Sequence, residues 1–285
     1  MSTLFATDLD RTVIYSARAA GRPVDDLVVV ERYEGRDISF VSPAQVDLLA
    51  ALAGYATVVP VTTRTLAQYR RVTLWSPPPE WAVTTNGGIL LPHGEIDADW
   101  YAAALATAGT GSRPLAEVAA WLAGAAGPWI DHVRVADDLF LYTLVDRDAL
   151  PAEVAEELAD TLAGWAWRLS IQGRKLYAVP AKLGKAAAVG EVARRAGAAT
   201  VLAAGDSLLD ADLLAAADVS FRPAHGELHD TDAPADVVTR TSGLAAGEEL
   251  LRTVLTRLGG DEALRNAGGR VPPVRHPPVV RTRLA

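Results

Sequence analysis

Short apolar runs that break off in an acid, a hydroxyl or a tight turn recur along this chain, and helical patterns fill the gaps between them. The runs are TLFATDLD, ATVVPVTTR and EWAVTTNGG in the first third, then ATVLAAGDS, ADVSFRP and ADVVTRT after a long interval. They are apolar nearly throughout instead of alternating, as strands covered on both faces are. Between the first two runs, SPAQVDLLAALAG carries an N-cap at Ser42, proline at the first helical position and Gly54 past its end. Strands alternating with helices in this way predict a doubly wound parallel sheet of the α/β class.

The interval from about Gly94 to Val179 breaks the series. HVRVADDLFLYTLV reads as a hairpin about Asp137 and Asp138, PAEVAEELADTLAGWA as an amphipathic helix, and WRLSIQGRKLYAVP as a second hairpin. With the helix PLAEVAAWLAGA ahead of them they predict a small α+β unit, in whose core Trp165 and Trp167 alternate as inward strand residues. The domains expected are therefore a discontinuous core over 1–93 and 180–258, an inserted α+β unit over 94–179, and an Arg- and Pro-rich tail over 259–285. A shorter insertion, GRPVDDLVVVERYEGRDISFV, predicts a flap-like hairpin turning at Glu34-Gly35.

Composition narrows the chemistry. The net charge is −8, and five arginines fall in a final stretch that has no acid after Glu262, so the body of the chain is more acidic still. That balance argues against nucleic-acid or anionic-membrane partners. With no cysteine, thiolate metal sites, disulfides and cysteine nucleophiles are excluded. No apolar run approaches a membrane span, no signal-like segment opens the chain, and the protein reads as cytoplasmic. The sequence leaves its oligomeric state open.

Ligands of open parallel sheets bind at the carboxyl ends of the strands. Here those ends carry Asp8 and Asp10, then Thr62, Thr63 and Arg64, then Asn86 and Gly87, then Asp206 and Asp210, with Lys182 and Lys185 opening the helix AKLGKAAAVGEVARRAG. Asp8 and Asp10 have the spacing that puts two side chains on one strand face. Paired carboxylates call for a cation, a shared proton or solvation. Carboxylates, hydroxyls and a lysine together suit a hard, oxygen-liking cation beside an anion, and so phosphate chemistry with Mg²⁺.

In this order, DLDRT, VTTR, a lysine ahead of an Ala-rich helix and GDSLLD resemble the four motifs of the haloacid dehalogenase (HAD) superfamily. TTNGG followed by ILLPHGEI resembles the segment leading into the cap of its Cof-type and sucrose-phosphatase-like branch, and ADVVTRTSGLAAGEELL resembles that branch's last strand and closing helix. The likeness extends to about Leu258. It implies a Rossmann-like core with an inserted cap, and a Mg²⁺-dependent phosphomonoesterase acting on a small soluble ester, sugar phosphates favoured.

It also implies roles. Asp8 would be the nucleophile that becomes an aspartyl-phosphate, and Asp10 the acid and then the base. Thr62 and Lys185, with Lys182 as the alternative, would hold phosphoryl oxygens. Asp206 would complete a metal site with Asp8 and the backbone carbonyl of Asp10, supported by Asp210. Arg11, Thr63, Arg64, Asn86 and Gly87, and Arg174 and Lys175 from the cap, are candidates for holding substrate. Two positions depart from the pattern: Arg11 stands where glycine is usual, and Leu209 where asparagine is frequent. Either arginine adopts a turn that disfavours it, or its guanidinium points at substrate.

His225 and His229, four apart, have metal-ligand spacing, but Pro223 and Gly226 predict an irregular loop there and no second metal. Two rival functions share many of these residues. A phosphomutase would return the phosphoryl group to a sugar. A receiver-like signalling module would accept phosphate on Asp8, but it would need neither Asp10 nor a cap.

Overall fold

The computed structural model describes residues 2–125 and 127–260. From residue 261 onward the expected tail lies outside the described residues. Along the chain, β1 (Thr3–Thr7) leads through α1 (Ala17–Ala20) into a hairpin of β2 (Val28–Tyr33) and β3 (Arg36–Val41), then α2 (Pro43–Leu52), β4 (Thr57–Pro60) and α3 (Leu66–Tyr69). A second hairpin, β5 (Trp81–Thr84) and β6 (Ile89–Pro92), precedes α4 (Ala98–Gly109) and α5 (Leu115–Gly124). Next come β7 (Arg134–Ala136), β8 (Phe140–Leu144), α6 (Ala152–Gly164), β9 (Trp167–Gln172) and β10 (Lys175–Pro180). The last stretch is α7 (Lys185–Ala196), β11 (Thr200–Ala204), α8 (Ala211–Ala216), β12 (Val219–Arg222), α9 (Glu227–Asp230), β13 (Val237–Val238) and α10 (Gly243–Arg257).

The central sheet runs β13-β12-β11-β1-β4, every neighbour parallel. Its strands are apolar on both faces because both faces are covered. Phe5, Val58 and Leu202 cluster with Leu48 and Leu52 of α2 and Leu251 and Val254 of α10. Leu4, Ala6, Val59 and Ala203 cluster with Val189 and Val192 of α7. The fold is thus α/β with a Rossmann-like core. The chain leaves β1 for β4 on one side and later returns as β11 on the other, so β1 lies at the switch point where a crevice opens.

EWAVTTNGG does not continue the parallel series as a full strand. Its β5 pairs antiparallel with β6, and it joins the central sheet through the parallel bridge between Val61 and Val83. The reason lies in the tight turn at Thr85-Asn86-Gly87, all three at positive φ, which folds the chain straight back. ADVVTRT shrinks to the two-residue edge strand β13.

Residues 134–180 form a separate antiparallel sheet, β7-β8-β10-β9, with α6 between its hairpins. Asp137 and Asp138 both take positive φ at the first bend, as a tight hairpin demands. Trp165 departs from expectation: it caps α6 instead of entering a strand. It meets Trp121 edge-on at 4.8 Å and lies beneath Arg113, whereas Trp167 begins β9 and is buried. The flap hairpin turns at Glu34-Gly35 as expected. Among the described residues no helix is long and apolar enough to cross a membrane.

Candidate active site

Asp8 follows directly on β1, and its backbone N–H donates to the carbonyl of Ala204 at the end of β11 (2.9 Å). That bond sets Asp8 beside the loop bearing Asp206 and Asp210. Carboxylate oxygens of Asp8, Asp206 and Asp210 lie within 4.8 Å of one another, and all three residues are buried. Lys185, the first residue of α7 and wholly buried, donates from Nζ to Asp8 Oδ1 at 2.7 Å and to Asp210 Oδ1. Lys182 is exposed, with its Nζ toward the loop at Gly111, so of the two lysines it is Lys185 that reaches the carboxylates.

Electrostatics show what this cluster lacks. Burial raises the Asp8 carboxyl from 3.8 to about 7; Lys185 opposes the rise, and the Asp210 charge adds to it. Burial, with the charges of Asp8 and Asp210, pushes Asp206 up as well. Like charges gathered out of water favour protonation unless positive charge is supplied. Lys185, with Arg11 beside Asp206, supplies only part of it. An all-oxygen donor set of buried carboxylates fits a hard divalent ion such as Mg²⁺, which is worth more here than a proton because it satisfies several oxygens at once. The Asp210 carboxylate is largely spent on the protein: Oδ2 accepts from the N–H groups of Asp206 (3.2 Å) and Ser207 (2.9 Å) and from Ser207 Oγ (2.7 Å). It therefore fits a role of shaping the loop more than one of direct ligation.

Asp10 is turned away from this cluster. Arg64 grips its carboxylate with a two-pronged pair, Nε to Oδ2 at 2.7 Å and Nη2 to Oδ1 at 2.8 Å. Burial alone would raise the Asp10 pKa, but the charges of Arg64 and then Lys175 outweigh it and hold the group well below the usual carboxylate range. Arg64 is buried and its third nitrogen donates to Glu31 Oε2 at 2.7 Å. Glu31 in turn accepts from Ser39 and Arg71. A relay of alternating charge thus runs from the flap hairpin to Asp10: Arg71, Glu31, Arg64, Asp10.

The remaining candidates divide. Thr62 is buried and its Oγ1 accepts the Arg64 N–H at 3.1 Å, leaving the hydroxyl proton to donate. Thr63 donates to Asn86 Oδ1 at 3.4 Å, and Asn86 Nδ2 donates to the Leu183 carbonyl at 3.2 Å. Gly87 packs so tightly on the loop before α7 that a Cβ would come within 2.1 Å of the Gly184 carbonyl oxygen. Asn86 and Gly87, expected to line the substrate pocket, are buried and brace the loop that locates α7 and Lys185. Arg174 lies exposed at the bend between β9 and β10, its carbonyl accepting from Val145, and is not brought to the carboxylates. Lys175 begins β10 and its charge is felt at Asp10.

Several residues of the site escaped the reading of the sequence. Tyr177 sits two positions beyond Lys175, on the same face of β10, and its hydroxyl feels the charges of Asp10, Arg64, Asp8 and Lys185. Period-2 spacing from Lys175 was the signal for it. Glu31 was signalled only by being an acid inside the apolar run VVVERY.

His225 and His229 serve different partners: His225 Nε2–H donates to the Arg11 carbonyl, and His229 Nδ1 lies 2.9 Å from Arg222 Nη1. His229 falls in the short helix α9, more regular than the loop its Pro and Gly neighbours suggested. Among the described residues the aspartate triad is the one such metal-competent group.

No protein-family model matches this sequence, and no curated protein does. Solved structures match over nearly the whole chain. The sucrose-phosphatase of Synechocystis sp. PCC6803, in complex with sucrose and phosphate, aligns with a TM-score of 0.60 at 16% identity, over 91% of this chain and 99% of its own. A sugar phosphatase of HAD subclass IIB aligns at 0.55 and 14% identity, over 91% and 99%. A haloacid dehalogenase-like hydrolase from B. subtilis aligns at 0.55 and 16%, over 88% and 99%. The chain has the haloacid dehalogenase fold. Within that HAD fold, Leu209 is buried and joins the hydrophobic cluster of Phe140, Tyr177 and Leu183, so an apolar contact with the α+β unit stands where the pattern often has a polar side chain.

Proposed function

We propose that this chain is a Mg²⁺-dependent phosphomonoester hydrolase working through an aspartyl-phosphate, with residues 94–179 as a cap over a core of 1–93 and 180–258. The observation that carries the reading is the buried triad Asp8, Asp206 and Asp210 with Lys185 donating to two of its members, at the switch point of a parallel sheet. The bound cation would hold and polarise a phosphoryl oxygen and keep Asp8 ionised. Asp8 and Asp206 would be its side-chain ligands, with the Asp10 carbonyl as a third.

An Asp8 carboxylate oxygen attacks phosphorus, the phosphorus–oxygen bond to the alcohol breaks, and Asp10 gives its proton to the departing oxygen. Water then attacks the aspartyl-phosphate, Asp10 takes its proton, and inorganic phosphate leaves. Thr62 Oγ1–H and Lys185 Nζ hold phosphoryl oxygens, and the amino end of α7 adds its dipole.

Gripped by Arg64, Asp10 is ionised and ready as the base of the second step, not as the acid of the first. The negative charge of an entering ester raises its pKa, and that is the event that arms it. Lys175 and Tyr177, two apart on β10, bring an ammonium and a phenol hydroxyl to where the charge of Asp10 is felt, which suits a compact hydroxyl-rich ester. The sugar phosphatases of the same fold support the sugar-phosphate class.

The test is phosphate release from a panel of phosphorylated metabolites with and without Mg²⁺, with Asp8→Asn as control. Metal-dependent release from a few related esters, lost in a variant that still folds, is expected. Release that persists in Asp8→Asn would remove the nucleophile, and no release from any ester would turn attention to the mutase and signalling alternatives.

A further inference from the structure

Arg11 is held in a manner that its usual replacement, glycine, would not require. Its φ is 64°, the left-handed region, which costs a side-chain-bearing residue roughly 1 kcal/mol. The backbone is pinned there twice: its N–H donates to the Ile14 carbonyl at 2.8 Å, and its carbonyl accepts from His225 Nε2–H at 2.7 Å. His225 is itself fixed as this tautomer, because its Nδ1 accepts the Gly243 N–H at 3.1 Å. The chain therefore keeps an unfavourable arginine and backs it with a dedicated imidazole.

The side chain shows what this achieves. Arg11 Nε lies 3.3 Å from Asp206 Oδ2, a carboxylate only 3% exposed, while about a third of the arginine side chain, 35%, faces solvent. The contact is badly aligned for a hydrogen bond, and Nε is a buried donor without a partner. What joins the two is charge alone. A divalent ion on Asp206 would supply that charge more fully, and a guanidinium against the same carboxylate repels such an ion. The two cannot comfortably share Asp206. With its backbone pinned, Arg11 can yield only by rotating its side chain out along the open third.

We propose that Arg11 is a built-in competitor for the divalent cation: it neutralises Asp206 in the metal-free protein and swings to the mouth of the site when the ion binds. The inference rests on the hydrolase reading for the existence of the ion. It weakens metal affinity, steadies the empty site, and delivers a guanidinium toward the phosphate ester only once the ion is in place.

The experiment is calorimetric titration of MgCl₂ into the chelator-stripped full chain, as wild type, Arg11→Gly, Asp206→Asn and the double variant, without substrate. Glycine accepts the backbone angle, so Arg11→Gly should fold, and circular dichroism checks that it does. Arg11→Asn, also tolerant of left-handed φ, serves as the second variant. Both should bind Mg²⁺ on the order of tenfold more tightly than wild type, and the gain should vanish when Asp206 is also replaced, since a coupled pair is not additive. Their melting temperature should also rise further with Mg²⁺ than that of wild type.

Equal or weaker Mg²⁺ binding by the Arg11 variants, with measurable binding by wild type, overturns the competitor role and leaves the hydrolase reading standing. A gain that survives loss of Asp206 overturns it too. If wild type and variants alike take up no Mg²⁺, the metal site itself fails and the competitor falls with it.

Discussion

Arg64 shows how one side chain can decide the state of another. It lies between two carboxylates, Asp10 and Glu31, and Glu31 between two arginines, so no charge in the relay is left uncompensated. Arg64→Lys keeps the charge but loses the planar fork that grips both Asp10 oxygens. Asp10 should then wander from the position in which it transfers protons, and turnover should fall by about ten- to a hundredfold with little change in KM. The pH dependence carries the signature: with Arg64 holding the Asp10 pKa down, the base stays ionised to low pH, and loosening that hold should move the acidic limb of kcat toward neutrality. An unmoved acidic limb in Arg64→Lys would mean that Asp10 is set by something else. Asp8, Asp10 and Asp206 were legible because their place at strand ends follows from the alternation of strands and helices, whereas Lys185 was favoured over Lys182 through the likeness of its helix to the lysine-led helix of the HAD pattern. Glu31 was not, because the ties that bury it reach Arg64 and Arg71, 33 and 40 residues away, and nothing local announces them.

At the scale of elements, the position of α7 governs Lys185. The helix starts where the Gly184 carbonyl meets Gly87, and Gly87 has φ of 95°. Gly87→Ala must both strain the backbone and push the loop away, at a cost above about 1 kcal/mol from the backbone alone. Chemical denaturation should show that loss, and phosphate release should fall because Lys185 moves with its helix; an alanine variant of unchanged stability and activity would mean that the loop yields freely. Asn86 and Gly87 were read as pocket lining because a turn pair at a strand end looks alike from either side. The packing of the turn against the loop before α7 gives the pair a second task that nothing local in the sequence announces.

The start of α4 offers a separate check. Asp97 caps it, accepting the Trp100 N–H at 2.8 Å, and also pairs with Arg195 of α7. The Trp100 bond first, and Arg195 with it, hold the Asp97 pKa below 3.8. A lowered folded pKa gives stability that is present above the ordinary value and is lost as pH falls through the folded one. Asp97→Ala should therefore cost about 1 kcal/mol at neutral pH and progressively less below pH ~3.9. A penalty that stayed constant down to pH 2 would show that the carboxylate charge is not what stabilises the helix.

Over the whole molecule, two carboxylate clasps hold the antiparallel sheet against the core, beside single bonds from Gln68 Nε2 to the Tyr142 hydroxyl (3.2 Å) and from Arg168 Nη2 to the Leu183 carbonyl (2.6 Å). Glu227, just after the turn that packs on Asp206, accepts from Ser170 Oγ at 2.6 Å and Ile171 N–H at 2.8 Å across the interface, and from Leu208 N–H at 3.2 Å within the core. From the other direction Asp137, at the tip of the β7–β8 hairpin, accepts from the Leu66 N–H at 2.9 Å and from Thr85 Oγ1. Both clasps are carboxylates meeting backbone N–H and hydroxyl groups, and each bond of this kind contributes about 1–3 kcal/mol where water is excluded. Asp137 was legible only as a hairpin bend and Glu227 not at all, because an acid on a loop looks the same whether it faces solvent or another part of the fold.

Bonds of this number suit the proposed cap, which must open to release product. Glu227→Ala should shift it toward an open form. Amide exchange over residues 168–172 should quicken, and KM for the ester should rise more than kcat falls, because the cap face would no longer be presented to the substrate. If exchange over those residues stays as slow as in wild type, closure is carried by the apolar contacts of Leu209, Phe140 and Tyr177 instead, and Leu209→Asn becomes the variant that opens the cap.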